Sequence, residues 1–174
     1  MPDFLNAVVD VSHWDRDVDF QAVAGSGVLG IMQKATQGQL NIDPTYASNR
    51  IKATHAGLLW GAYHFGTGDE GVRQAEHFLA VIGDYRNVLL ALDFEQNPTG
   101  PSMDLEQARA FVTHVCAQTG RYPGLYGGSY LKKPPRGRVR SGAYAMLVLD
   151  RAVRTNAGQR PGSAAEETVA ILSG

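Results

Sequence analysis

Apolar residues along the chain gather into short runs that end in polar ones. Residues 6–12 (NAVVDVS), 27–38 (GVLGIMQKATQG), 57–66 (GLLWGAYHFG), 88–95 (VLLALDFE), 123–130 (PGLYGGSY) and 143–150 (AYAMLVLD) all read this way. Continuous rather than alternating runs are the mark of strands covered on both faces, as in a parallel sheet. Between them the period lengthens to that of a helix. Residues 71–83 align Val72, Ala75, Leu79 and Ile82 and stop at Gly83; residues 104–119 align Leu105, Ala108, Val112 and Val115 and stop at Gly120. Asp43-Pro44 has the chemistry of a helix N-cap and first residue, for a segment ending at Gly57. Strands alternating with helices predict one α/β domain over residues 1–174, a parallel sheet under helices. No repeat or low-complexity linker interrupts residues 1–131, whereas residues 132–174 form an atypical C-terminal segment.

In parallel α/β architectures functional groups collect where strands finish. The finishing residues here are Asp10-Val11-Ser12, Lys34-Ala35-Thr36-Gln37, Tyr63-His64-Phe65, Asp93-Phe94-Glu95 and Tyr126-Gly127-Gly128. Burying so many ionisable groups at one edge without a role would cost desolvation. Residues two apart on a strand share a face, so Asp93 and Glu95 project together, about 6.6 Å apart at Cα, with Phe94 turned to the helices. Carboxylates that close repel, so one holds its proton near neutral pH while the other stays ionised. A proton donor beside an anion suits glycosidic bond cleavage, where the leaving oxygen is protonated as positive charge builds on the sugar. The same spacing also fits a capping Asp93 with a solvated Glu95, so the pair alone leaves both readings open. Alternation puts Tyr63 on the site side, where Tyr126 joins it, and turns His64 away into the core or a supporting layer. Trp60, mid-strand, reads as core.

Composition narrows the class. With 44% hydrophobic residues in 174, the chain can bury a full core. No run of about 18 apolar residues exists, so no membrane insertion is expected. The start, Met1-Pro2-Asp3-Phe4, shows neither the basic nor the apolar region of a signal peptide. Cys116 lies on the apolar side of a helical pattern and reads as a buried small hydrophobe rather than a nucleophile. The net charge of −1 hides an asymmetry: residues 1–131 carry 8 Lys+Arg against 14 Asp+Glu, and residues 132–174 carry 8 against 3. The basic stretch KKPPRGRVR has neither interleaved aromatics nor a helical period, so it reads as a solvated segment and no nucleic-acid partner is expected.

Taken in order, DVSHW (10–14), VDF (18–20), KATQG (34–38), Asp43, Asn49, AGLLWGAYHF (56–65), QAEHF (74–78), LALDFE (90–95) and GLYGGSY (124–130) resemble family 25 of the glycoside hydrolases, the lysozymes and phage-type endolysins. The resemblance implies an irregular, flattened β/α barrel of the TIM-barrel kind, altered or incomplete at its C-terminal strands. It implies N-acetylmuramidase activity, hydrolysis of the β-1,4 bond after N-acetylmuramic acid in peptidoglycan glycan strands, with no metal or organic cofactor. Carried over residue by residue, Glu95 matches the general acid, with Asp93 and Asp10 as accompanying acids. Tyr63, Tyr126, Lys34 and Trp14 are the expected substrate-binding residues, with core, ion-pair or shielding roles as their alternatives. Either the substrate's own acetamido oxygen attacks the anomeric carbon with Asp93 assisting, or a carboxylate activates water; the closeness of Asp93 and Glu95 favours the first.

Two departures qualify the match. Gln37 stands where the family usually has Glu, and residues 132–174 match none of the family's later strands, leaving Asp150 as a candidate replacement acid. A sugar-binding relative impaired in catalysis is therefore one alternative, and a metal-dependent hydrolase built on Asp10, His64, Asp93 and Glu95 another. A muramidase without a signal peptide would reach the cell wall through a holin, specialised export or lysis, acting outside the cell, with a monomer as the expected state.

Overall fold

The computed structural model describes residues 7–15 and 17–127. In chain order these form β1 (Val8–Val11), α1 (Phe20–Gly25), β2 (Gly30–Gln37), β3 (Asn41–Ile42), α2 (Tyr46–His55), β4 (Leu59–Phe65), α3 (Gly71–Ile82), β5 (Val88–Asp93), α4 (Leu105–Thr119) and β6 (Gly124–Tyr126). Five strands pair in parallel in the order β1-β2-β4-β5-β6, and the two-residue β3 adds antiparallel to β2. The sheet curls into a half-barrel with helices packed on its outside, an incomplete β/α barrel among the described residues. The expected run 143–150, Asp150 and the atypical segment lie outside the described residues.

The apolar runs became strands because one set of alternate positions buries against the helices. Val11, Ile31, Trp60, Ala62, Val88, Leu90 and Leu92 meet Phe78, Phe111 and Val115 in one core. Removing such surface from water is worth about 25 cal/mol per Å², which makes this outer layer the main source of stability. The buried stripe of α3 is Gln74, Ala75, Phe78 and Ile82, rotated from the expected one so that Val72 and Leu79 sit at its margin. The rotation follows from Phe78 and Gln74, which both dock on His64. α2 starts at Tyr46 rather than Pro44, with Thr45 rather than Asp43 as its N-cap, and Thr45 makes no side-chain cap bond. Cys116 is only half-buried.

One irregularity decides which side chains face inward. The β2–β4 register slips between Lys34 and Thr36, so that Lys34 pairs with Tyr63 but Thr36 with His64. Strict alternation would put Thr36 on the face of Lys34. The extra residue, Ala35, instead turns Thr36 to the helix side and brings Gln37 to the inner side. The inner face is tight lower down: a Cβ at Gly61 would collide with Met32 Sδ. It is also open to solvent there, with Leu59 73% and Leu89 61% exposed.

Candidate active site

Two rungs of the parallel ladder build the site on the inner face. Lys34, Tyr63, Ala91 and Gly124 form one, and Phe65, Asp93 and Tyr126 the next. The small Ala91 and Gly124 leave room in front of Tyr63. Asp93 ends β5 and Glu95 follows two residues later, while Phe94 between them is buried in the helix-side core. Asp10 lies on the same face of β1, exposed, opposite Met32.

Electrostatics ties these groups together. Burial, and next the charge of Glu95, push the Asp93 carboxyl up to about 7; Lys34 opposes this and Asp10 adds to it. Asp93 Oδ1 is buried and has no hydrogen-bond partner. Burial also raises the Tyr63 phenol, helped by Asp93, Asp10, Asp43 and Asp15, and raises Tyr126, helped by Glu95, Asp93 and Asp10. Both phenols therefore stay neutral hydrogen-bond donors across the physiological range. Burial lowers the Lys34 ammonium against the pull of Asp43 and Asp93. Lys34 Nζ donates to Gln37 Oε1 at 2.5 Å and lies 5.2 Å from the centre of the Phe65 ring. Asp10, Lys34, Tyr63, Asp93, Glu95 and Tyr126 thus share one acidic trench.

His64 belongs to the other face. It is fully buried; its Nε2 donates to Gln74 Oε1 at 3.0 Å and its Nδ1 accepts from Thr36 Oγ1 at 2.7 Å. Gln74 Nε2 is occupied by the carbonyls of Thr67 and Asp69, which fixes the amide and with it the tautomer. Burial holds the imidazole down at about 4. With both nitrogens engaged, His64 cannot join Asp10, Asp93 and Glu95 as a ligand set. Among the described residues no three His, Cys, Asp or Glu come together as a metal site.

Trp14, three residues beyond β1, is 79% exposed, with its ring 4.5 Å from that of His13. The loop that carries it is held by Asp43, whose role the residue pattern did not suggest. Asp43 Oδ2 accepts from the His13 backbone N and from His13 Nδ1, both at 2.9 Å; Oδ1 accepts from Thr45 N at 2.9 Å and Thr45 Oγ1 at 2.7 Å. Burial alone would raise the Asp43 carboxyl, but the bonds from Thr45 and His13 outweigh it and hold it below the usual carboxylate range. The partners lie 30 residues apart in sequence, so only the Asp43-to-Thr45 half of this arrangement had a local signal.

Comparison with known proteins follows the same line. The model of the glycosyl hydrolases family 25 matches residues 9–137. The chain is 35% identical over 98 residues to lysozyme M1 of Streptomyces globisporus, covering 53% of this chain and 33% of that protein. It is 32% identical over 129 residues to an N,O-diacetylmuramidase of Arthroderma benhamiae, covering 67% and 55%. The structure of a family GH25 lysozyme from Aspergillus fumigatus superimposes with a TM-score of 0.62 at 32% identity, covering 69% of this chain and 64% of that one. The chain therefore spans between a third and a little over half of the length of these curated relatives.

Proposed function

The chain belongs to glycosyl hydrolase family 25, and from that premise and the acidic trench we propose that it hydrolyses the β-1,4 bond between N-acetylmuramic acid and N-acetylglucosamine in peptidoglycan. The observation that carries the reading is the Asp93–Glu95 pair on the inner face, where burial and the charge of Glu95 push the Asp93 carboxyl up to about 7. In the free protein burial, and next the charge of Glu95, favour the protonated form of Asp93. Substrate reverses this. An acetamido N–H donating to the unpartnered Asp93 Oδ1 favours the Asp93 anion, while a sugar over Glu95 strips water from it and favours its acid form. The proton thereby passes to Glu95, which faces the glycosidic oxygen as general acid.

Bond breaking then follows the substrate-assisted route. The acetamido carbonyl oxygen attacks the anomeric carbon as Glu95 protonates the leaving oxygen, and the Asp93 anion balances the positive charge of the cyclic intermediate. Water next attacks the anomeric carbon, giving its proton to the Glu95 carboxylate, and the acetamido group reforms with retained configuration. Tyr63 and Tyr126 offer neutral hydroxyls and ring faces to the sugars, and Asp10 adds negative potential along the trench.

Two measurements test this. Loss of turbidity of purified cell walls, with mass analysis of the released fragments, is expected to give new reducing ends on N-acetylmuramic acid. The anomeric configuration of the first product is expected to be retained; inversion would eliminate the acetamido route, and fragments ending in N-acetylglucosamine would overturn the bond assignment.

A further inference from the structure

Trp14 carries the most exposed large aromatic ring among the described residues, on a loop whose residues 12–15 are tied by hydrogen bonds. Ser12 N donates to Asp15 Oδ2, Asp15 N to Ser12 O, Trp14 N to Ser12 Oγ, and both His13 donors to Asp43. Slack therefore does not account for the exposure of Trp14. A tryptophan left 79% exposed forgoes the burial that makes the residue stabilising, and stiff exposed aromatics are suited to contact with apolar faces of a ligand. The tie also reaches the trench. Asp15, on the same loop, acts electrostatically on Tyr63, and Asp43 acts on both Tyr63 and Lys34. The side chain of Asp43 is wholly excluded from solvent, so it cannot itself meet a sugar.

We propose that Asp43 is a positioning residue that, through His13, fixes Trp14 as an aromatic lip on which a sugar ring of an N-acetylated glycan strand stacks at the β1 side of the trench. The inference rests on the trench being a glycan site. A rigid lip spares the ordering cost of the loop when the glycan binds, so its loss weakens binding without touching the chemistry. His13 is the better handle for a test, since His13→Ala removes the imidazole bond and the ring contact while leaving Asp43 bonded to Thr45.

The test uses the full chain and soluble glycan strands freed of their peptides as the probe. Fluorescence anisotropy of Trp14, separated from the buried Trp60 by acrylamide quenching, needs no substrate. His13→Ala is expected to lower that anisotropy and to raise KM by about tenfold with kcat held within about twofold, and Asp43→Asn to lower the anisotropy likewise. Trp14→Ala is expected to raise KM similarly, and adding His13→Ala to it to cost nothing more, because both act through one ring. An unchanged KM in His13→Ala, or a further rise in the double variant, would overturn the proposal. If Asp43→Asn fails to fold, His13→Ala decides alone. If the unaltered chain neither binds nor cuts the strands, the glycan reading fails and this proposal with it; if it cuts them and His13→Ala keeps its KM, this proposal alone fails.

Discussion

The two faces of the sheet treat their ionisable groups in opposite ways. On the helix side every nitrogen of His64 has a partner, and Gln33 is bonded to Asn49 and Thr45 in the same manner. On the inner side Asp93 is half-buried with one buried, unpartnered oxygen, beside a second carboxylate. Satisfied buried polar groups specify a structure, whereas an unsatisfied buried acid is a cost that a site carries for its chemistry. The contrast extends to pH. Burial lowers His64 from 6.5 to about 4, so the folded state binds fewer protons than the unfolded one in that window and stability falls as pH drops through it. Asp93 moves the other way, from 3.8 to about 7, so the folded state binds more protons there and stability falls as pH rises through that window.

Substitutions on each face can break or sharpen the contrast. Glu95→Gln is expected to cost about 10³-fold in cell-wall turbidity loss, with no drop in thermal midpoint. Unchanged activity would remove Glu95 from the acid's role. His64→Ala is expected to cost about 3 kcal/mol in denaturant unfolding, through two lost hydrogen bonds and the loss of the packed rings of Phe78 and Phe111, while the folded fraction keeps its kcat. A collapse of kcat with intact stability would move His64 to the chemical face. Asp93→Asn is expected to lose about 10²-fold in activity and yet to gain stability relative to the unaltered chain as pH rises from 3.8 to about 7. Parallel midpoint curves for the two proteins would show that Asp93 titrates normally. Leu59→Ser, on the open lower part of the inner face, is expected to change stability by less than about 0.5 kcal/mol.

Much of this was legible in the residues, for particular physical reasons. The period of two fixed Asp93, Glu95 and Tyr63 on one face and Phe94 and His64 on the other, and packing enforces that alternation. It failed where the backbone departs from it: nothing in KATQG marks Ala35 as the extra residue that sends Thr36 to His64 and Gln37 to Lys34. β3, two residues long, is too short to leave a pattern. Asp43 carried the local signal of a helix N-cap, but the N-cap is Thr45, and the bond of Asp43 to His13 spans 30 residues, farther than any spacing rule reaches. The upward shift of Asp93 comes first from its burial, a property of the folded sheet rather than of the D-x-E spacing.

The most direct test is a carbon-13 NMR titration of the side-chain carboxyls in the folded chain. The Asp93 carboxyl resonance is expected to move with a midpoint near 7, and that midpoint to drop in Glu95→Gln, where the neighbouring charge is gone. An Asp93 that titrates near 3.8, unmoved by the Glu95 substitution, would contradict a proton shared at the trench.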